Sequence, residues 1–378
     1  MTNLGWVVLT ATVSAIIAGI ALGWAELAVL GVVAGSALIL AALQTIGRST
    51  YSVAINLPST RVKVGEQLNA EIVVQNSGRR LVLPAYLRVP IGANAAQFSI
   101  PLLRAGRSHD ELVVIPTAQR GVIEMGPATS VRGDVLSLMH RSVEWTEPIE
   151  LFVHPEIVRL SGTGSGLMRD LEGQSLQIIA DSDISFHALR EYIPGDDRRH
   201  IHWKTSARIG DLMVRQFDDT RRTRTALLCT THPDEYADEA EFELAASVFA
   251  SLGVQALREE RELVALAGDQ KLRIEVPVRF LDGCSRLELN EDHRRSYQLG
   301  PWLAQEVPDA SVAIFVVGSR RSANELRGQL ARIDKSMMVL VLRCERGASP
   351  QVRPLGDATS VRVGALSDLP RLMQRAVR

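Results

Sequence analysis

The stretch TALLCTTHPDEYADEAEFELAASVFASLGVQALREERELVALA, residues 225–267, decides the fold class of the C-terminal part of the chain. It begins and ends with short apolar runs, Thr225 to Cys229 and Leu263 to Ala267, which are typical of buried strands. Between them, Glu239 to Glu259 carries apolar residues on one side at helical spacing. The order strand, helix, strand predicts two parallel strands joined by a crossover helix.

The same alternation continues to the C-terminus. Val312 to Val317 and Met338 to Leu342 are apolar runs of strand length, whereas Ala323 to Ile333 and Leu369 to Val377 have helical patterns. We therefore predict an α/β domain with a doubly wound parallel sheet over residues 225–378.

Residues 159–224 precede this domain and are predicted to be a linker followed by an arginine-rich segment. Ser161 to Gly166 reads SGTGSG, which is typical of a flexible linker. It lacks the lysine of a phosphate-binding loop and the central serine of a nucleophile elbow. The densest polar chemistry follows in LREYIPGDDRRHIHWKTSAR, residues 189–208, and continues to Phe217.

The arginine-rich segment has two main interpretations, and nucleic-acid binding is a third, less favoured one. In the first, its guanidinium groups form bidentate ion pairs with nearby carboxylates, and Trp203 packs its ring against the domain. In the second, it binds an anion through Arg190, Arg199, Lys204 and Arg208, or binds a protein partner, with Lys204 as the outward charge. Nucleic-acid binding is disfavoured because the segment carries only a small excess of positive charge. The ion pairs would join Arg190, Arg199, Arg208 and Arg215 to Glu191, Asp196, Asp211 and Asp218.

An enzymatic interpretation is the alternative from a different class. His200 and His202 could share one face of a strand and bind a metal, but the sequence offers no clear third ligand. Ser206 with either histidine, and Asp196 nearby, would form a hydrolase-like site, although nothing in the sequence places an oxyanion hole. We therefore predict no catalytic residue.

The composition excludes several classes of protein. The chain of 378 residues is 46% hydrophobic and 22% charged, with a net charge of −1. It is too apolar to be disordered, and its balanced charge argues against nucleic acid as a partner. The three cysteines have no paired spacing, which suits a reducing compartment and predicts no disulfide framework.

Residues 48–158 show a period of two rather than 3.6. Alternation is clear in Tyr51 to Leu57 and Leu68 to Val74, and turn signals such as Asn76-Ser77-Gly78 separate the runs. Several short strands separated by turns predict a β-sandwich. The further runs are Ala85 to Val89, Glu111 to Ile115, Gly121 to Met125 and Ile149 to Val153.

Residues 1–47 predict a membrane helix hairpin. Leu4 to Leu22 and Leu27 to Ile46 are each long enough to span a hydrocarbon core of ~30 Å, and Glu26 is the only charged residue in this region. Small residues would let the two helices approach closely. Because basic residues from Arg48 onward follow the second span, the soluble domains are predicted to face the cytoplasm.

The segment 186–217 resembles the signature of the bacterial domain of unknown function 58 family. The family pattern R-x-Y-x-x-G-D-x-x-R-x-I-x-W-K-x-S-A-R runs from Arg190 to Arg208, and residues 134–138, DVLSL, stand where relatives have DPFGL. The resemblance implies a von Willebrand factor A-like C-terminal domain, frequent pairing with a MoxR-type AAA+ ATPase, and no established enzymatic activity. The matching positions are Arg190, Tyr192, Gly195, Asp196, Arg199, Ile201, Trp203, Lys204, Ser206, Ala207 and Arg208.

The chain departs from the von Willebrand A pattern at its metal loop. That fold often holds Mg²⁺ through Asp-x-Ser-x-Ser after its first strand, where this chain has CTTHPD at 229–234. Thr230, His232 and Asp234 form a degenerate version of the loop, and Arg320 supplies a cation where a carboxylate would help. We therefore predict no metal and no cofactor.

Together these features predict a membrane helix hairpin, then a β-sandwich, then a von Willebrand A-like α/β domain. The predicted function is a membrane-anchored, cytoplasm-facing scaffold or adaptor for protein–protein interaction. Its predicted interaction residues are those of the signature: Arg190, Tyr192, Gly195, Asp196, Arg199, Trp203, Lys204, Ser206, Arg208 and Arg215.

Overall fold

The structure is a computed structural model that divides the chain into two compact units, Met1–His154 and Pro155–Arg378. The sequence-based boundary between sandwich and linker stands four residues later, after residue 158. The described residues are 2–45, 51–79, 81–82, 84–133, 138–160, 179–180, 185–193, 201–218, 224–293, 298–334 and 337–376.

The first unit starts with two antiparallel apolar helices, α1 (Asn3–Leu22) and α2 (Ala25–Thr45). Thr2 caps α1, and Gly23 ends it in the left-handed conformation that glycine adopts readily. The helices approach so closely that a Cβ on Gly19 would lie 2.6 Å from the backbone nitrogen of Ala28. The small residues therefore permit the contact, as the sequence predicted.

Three helices in the described chain are long and apolar enough to cross a membrane: Asn3–Leu22, Ala25–Ala42 and Glu239–Arg258. Only 17% of the residues of each N-terminal helix are buried within the protein, whereas 67% of the third are buried. Because the third packs against a sheet, the two N-terminal helices are the candidate spans, and they suggest membrane association.

Two sheets follow the helices and share one apolar core. The first contains β1 (Tyr51–Asn56), β3 (Leu68–Asn76) and β6 (Ser108–Ile115), all antiparallel. Ile72 and Val74 from this sheet meet Leu87, Met125 and Leu151 from the second. The second sheet has β2 (Arg61–Lys63), β10 (Ile149–His154), β7 (Gly121–Met125), β4 (Ala85–Ile91), β8 (Thr129–Gly133) and β9 (His140–Glu144) in spatial order, with β5 (Asn94–Ile100) against β4.

The sandwich also contacts the helix hairpin, and Leu138 is buried in this contact. Leu138 lies between β8 and β9, is almost fully buried, and packs against Leu38 and Ala41 of α2. Its carbonyl oxygen accepts hydrogen bonds from the backbone N–H and the hydroxyl of Thr2, at 3.1 and 2.9 Å. The end of the DVLSL motif is thus bound to the start of α1.

The arginine-rich segment forms a small sheet with one short helix. The strand order is β11 (Ile179–Ala180), β13 (Met213–Asp218), β12 (Ser185–Glu191), all antiparallel, and α3 (Trp203–Ile209) precedes β13. The predicted linker Ser161 to Gly166 lies outside the described residues.

The α/β sheet has five parallel strands in the order β15 (Glu262–Ala267), β14 (Arg224–Cys229), β17 (Val312–Val317), β18 (Met338–Cys344), β20 (Ala358–Val363). β16 (Gln270–Lys271) and β19 (Gln351–Leu355) flank them as antiparallel edge strands. The four strands that the sequence predicted, β14, β15, β17 and β18, lie where expected.

Helices cover both faces of this sheet, so two separate cores form. Phe249 of α4 and Phe280 of α5 are fully buried on one face, and Trp302 of α6 and Leu326 of α7 pack on the other. The helices are α4 (Glu239–Arg258), α5 (Pro277–Ser285), α6 (Leu299–Glu306), α7 (Ala323–Leu330) and α8 (Leu369–Ala376), with α8 in the same core as α4 and α5. The fold is therefore two apolar helices followed by mixed sheets with helices.

Candidate interaction surface

The helix α3 is fixed to β13 by hydrogen bonds from its first residues. His202 caps the helix because its Nδ1 accepts from the Thr205 backbone N–H at 3.2 Å. The His202 backbone N–H donates to the carbonyl of Met213 at 2.8 Å, and Ile201 forms a bridge with Val214. Ile201 and Val214 are both buried, so the start of α3 is anchored in apolar packing.

Ser206 is the inward residue of α3. It is 7% exposed, and its Oγ accepts from the Met213 backbone N–H at 2.8 Å and donates to the His202 carbonyl at 3.2 Å. The first hydrogen bond joins the helix to β13 and the second lies within the helix, whose N-cap is His202, so the hydroxyl has a positioning role. The His202 ring contacts Thr205, with Nδ1 2.7 Å from its hydroxyl. The geometry therefore does not form the Ser206–His202 dyad of the enzymatic interpretation.

Trp203 is the first residue of α3 and is 66% exposed. The prediction that its ring packs against the domain is wrong. The physical reason is the narrow inner face of α3, on which Ser206 is the only buried residue of the seven. Because α3 contacts the rest of the domain mainly through the small side chain of Ser206, the ring of Trp203 stays in solvent.

Three more large apolar side chains of the same segment are exposed. Ile193 is 61%, Ile209 57% and Leu212 44% exposed. A hydrogen bond from the Tyr192 N–H to the Leu212 carbonyl, at 2.8 Å, holds Ile193 close to Leu212. Gly210 ends α3 with φ of 95°, a conformation that glycine adopts without strain, and so turns the chain toward Leu212.

Two basic side chains accompany this apolar group. Lys204 and Arg208 are exposed and lie one turn apart on α3, so they share a side of the helix. Within the described residues no carboxylate forms an ion pair with either of them. The ion pair that the sequence predicted between Arg208 and a neighbouring carboxylate is therefore absent from that part of the chain. We call Ile193, Trp203, Lys204, Arg208, Ile209 and Leu212 the signature face.

The other signature residues are distributed as follows. The half-buried Arg190 donates from Nη1 to the backbone carbonyl of Glu191 at 3.0 Å, and Tyr192 is half-buried at the end of β12. Arg215 lies in β13, across from Leu189. Gly195, Asp196, Arg199 and His200 lie outside the described residues.

The degenerate metal loop lies at the carboxyl end of β14. Thr230 is buried, and its hydroxyl lies 3.1 Å from the hydroxyl of Tyr236, which also donates to the Thr230 carbonyl at 2.5 Å. His232 caps the short turn Pro233–Glu235, and the carboxylate of Asp234 is largely exposed. Burial is the main cause that raises the pKa of Tyr236 well above its usual value.

Charged residues that sequence reasoning missed fill the space beside this loop. Glu235 and Arg321 form a buried ion pair at 2.7 Å. The Glu241 carboxylate accepts from the backbone N–H and the hydroxyl of Ser319, at 2.7 and 2.9 Å. A Cβ on Gly318 would lie 2.0 Å from the Glu235 carbonyl, so the loops meet tightly here.

These contacts use the loop residues for internal structure. Within the described chain no group of three histidine, cysteine, aspartate or glutamate side chains could hold a metal ion. Arg320, which the sequence placed near the metal loop, donates from its backbone N–H to the Glu235 carbonyl at 3.1 Å. A second missed contact joins Thr231 to His293, whose Nδ1 lies 2.7 Å from the threonine hydroxyl.

The fold and the surface define an α/β protein with two candidate membrane spans and an exposed apolar and basic segment. Residues 188–281 match the family described as "Protein of unknown function DUF58". The chain is also 32% identical to the "Uncharacterized protein YeaD" of Bacillus subtilis strain 168 over 43% of its own length and 39% of that relative. It thus spans about two fifths of the curated relative. The similarity to the DUF58 family thus extends over residues 188–281.

Comparison with solved structures does not assign a fold to this chain. The CARDB domain of the PF1109 protein from Pyrococcus furiosus is 18% identical, with 27% of this chain and 86% of that chain covered and a TM-score of 0.21. A β-glucosidase from Listeria innocua is 13% identical, with 26% and 17% covered and a TM-score of 0.17. Scores this low define no shared fold.

Proposed function

We propose that this protein is a membrane-anchored scaffold or adaptor whose signature face binds a partner protein in the cytoplasm. The two apolar helices α1 and α2 supply the anchor, since each reaches ~30 Å at 1.5 Å per residue. Arg48, Arg61 and Lys63 follow the second helix, which supports a cytoplasmic position for the soluble domains.

We assign the α/β domain to the von Willebrand factor A-like class. Support comes from its doubly wound sheet, in which β15 and β17 lie on opposite sides of the first strand, β14. The carboxyl ends of β14 and β17 are where ligands of such sheets bind. Here Glu235, Arg321 and Glu241 fill that edge, which favours an interaction surface elsewhere.

The exposure of Trp203 carries the proposal. A 66% exposed tryptophan on a helix that is fixed through His202 and Ser206 presents a rigid apolar anchor. Tryptophan and arginine are enriched among the residues that dominate binding energy at protein interfaces. Lys204 and Arg208 beside it favour a partner surface that combines an apolar pocket with acidic residues.

The partner that we propose is a MoxR-type AAA+ ATPase, the partner that the family resemblance implies. An anion-binding module is not favoured at this face, because Lys204 and Arg208 are both exposed on one helix. A tethered ATPase partner would bring ATP-driven work to the membrane surface.

The test is a binding titration of a purified MoxR-type ATPase against the full chain in nanodiscs. Trp203→Ala and Lys204→Ala are compared with two matched controls, Val278→Ala and Lys271→Ala, which change exposed residues outside the signature face. We expect Trp203→Ala to weaken binding by about 2 kcal/mol or more, and Lys204→Ala by about 1 kcal/mol with a slower association rate.

The controls should bind as the unmodified chain does. Equal affinities for all four variants, or an unmodified chain that does not bind the ATPase, would contradict the proposed function. Circular dichroism of each variant separates lost binding from lost folding.

A further inference from the structure

A cavity of about 120 Å³ lies between α7 and the end of the sheet formed by β18, β19 and β20. Four arginines line it, namely Arg327, Arg343, Arg353 and Arg362, together with the side chains of Gln351 and Ser360. None of the described residues that line it is acidic. It belongs neither to the signature face nor to the edge beside β14.

The strand register explains why these side chains converge. Arg343 of β18 is paired with Arg362 of β20, which is paired with Gln351 of β19, so the three form one row across the sheet. Ser360 and Arg353 form the next row on the same face. That row continues to Val341, which packs in the core on the α7 side. Arg327 of α7 lines the cavity on its helix side.

The charges of this cavity are only partly balanced by the protein. The Nε of Arg362 lies 3.5 Å from a carboxylate oxygen of Glu345, which gives one of the four arginines an acidic partner. Arg327 donates to Asn324 at 3.0 Å, and Arg343 donates from Nη2 to the Ser319 carbonyl at 2.8 Å, both neutral acceptors.

Arg343 also has an unsatisfied donor. Its Nε is buried and has no hydrogen-bond partner among the described residues. A buried donor without a partner is costly, and a charged one more so, and such groups in native proteins call for an explanation such as a bound ion. Like charges gathered in one concave site also repel one another unless an anion lies between them.

We propose that this cavity binds the phosphate group of a ligand. Guanidinium groups recognise phosphate oxygens through paired N–H donors, and the Ser360 hydroxyl and Gln351 amide add neutral donors. A phosphate monoester carries a charge of about −1.5 to −2 at pH 7. It therefore neutralises more of the positive charge of several arginines than a single carboxylate would. Soluble phosphate compounds and lipid headgroups both present this group, and the chemistry of its recognition is the same in both.

The experiment uses calorimetric titration of the full chain in nonionic detergent at constant ionic strength. One arm titrates inorganic phosphate, and the other titrates dihexanoyl phosphatidic acid below its micelle concentration. Each is repeated with Arg343→Gln, with Arg353→Gln and with the control Arg371→Gln, which changes an exposed arginine of α8 outside the cavity.

We expect saturable binding by the unmodified chain and by Arg371→Gln. Arg343→Gln should bind about tenfold or more weakly, because a hydrogen bond to a charged group is lost. Arg353 is exposed, so Arg353→Gln should fold even if Arg343→Gln does not, and it should bind several-fold more weakly. Binding of phosphate identifies a soluble source, and binding of the lipid alone identifies a headgroup.

Saturable binding of neither probe would overturn the proposal. Equal affinities for the unmodified chain, Arg353→Gln and Arg371→Gln would overturn it as well, because the bound anion would then lie elsewhere. Neither result depends on the ATPase partner, so the outcome is independent of the proposed function.

Discussion

Ser206 and Trp203 lie three positions apart in α3, yet their surroundings give them opposite roles. Ser206 uses its hydroxyl to bind the backbone of β13, whereas Trp203 has most of its surface in solvent. A small polar residue therefore stabilises the segment and a large aromatic residue is left for binding. This division is the basis of the first prediction.

Ser206→Ala should lower the free energy of unfolding by about 1–3 kcal/mol, because the Met213 N–H loses its acceptor in a buried position. Trp203→Ala should change it by less than about 0.5 kcal/mol, as substitutions of exposed residues usually do. Urea denaturation followed by circular dichroism measures both. A Trp203→Ala protein that loses more stability than Ser206→Ala would show that the ring is packed after all.

A second prediction at the residue scale concerns alkaline pH. Burial is the main cause that raises the pKa of Cys344 well above its usual value, and the same holds for Tyr236. Above about pH 8.5 the unfolded chain ionises its thiol while the folded chain keeps the proton. The folded state then binds more protons, so stability is full at lower pH and is lost as pH rises.

The free energy of unfolding should therefore fall between pH 8 and pH 10, by at most about 1.4 kcal/mol per pH unit for one group. Cys344→Ala should show a shallower fall over the same range, although its stability at pH 7 is lower because a buried side chain is shortened. An unchanged slope in Cys344→Ala would mean that other groups control the alkaline transition.

At the scale of single elements, the α1–α2 pair depends on glycine. A Cβ on Gly31 would lie 2.6 Å from a side-chain carbon of Ile16 and 3.1 Å from its backbone nitrogen. Both distances are shorter than van der Waals contact, so a side chain at this position must separate the helices. In lipid the close contact of small residues is a main source of helix association.

Gly31→Leu should lower the melting temperature of the chain in detergent, measured by size-exclusion chromatography after heating. Ala21→Leu is the matched control, because Ala21 faces outward from the helix pair and its replacement meets only detergent. Equal melting temperatures for the two variants would contradict the packing of the hairpin.

The elements also show how far the sequence can predict this structure. Apolar runs of strand length located β14, β15, β17 and β18, and the amphipathic pattern located α4, because local patterns reflect burial. No sequence pattern predicted α5 and α6, which are nine and eight residues long and therefore too short to show a strong helical period. Element type was thus predictable where the pattern was long.

The residues that carry the proposals were harder to predict. The row formed by Arg343, Arg362 and Gln351 depends on the register between three strands, which no local pattern reveals. The exposure of Trp203 depends on which residue of α3 turns inward, and the Thr231–His293 contact joins positions 62 apart. Such features arise from tertiary packing.

At the scale of the whole molecule, the proposed orientation places both ends of the helix hairpin in the cytoplasm. A fluorescent protein fused to the C-terminus should be bright, and alkaline phosphatase fused there should be inactive, because basic residues after α2 favour the cytoplasmic side. An active phosphatase fusion would reverse the orientation. It would also exclude a cytoplasmic ATPase as the partner.

Site-specific photo-crosslinking in intact cells tests the location of the signature face and the identity of its partner in a single measurement. A photoreactive phenylalanine analogue replaces Trp203 in one culture and Val278, an exposed position outside the signature face, in another. We expect a crosslink from position 203 to a MoxR-type AAA+ ATPase and none from position 278. A crosslink to the ATPase of equal yield from both positions, or none from position 203, would contradict it.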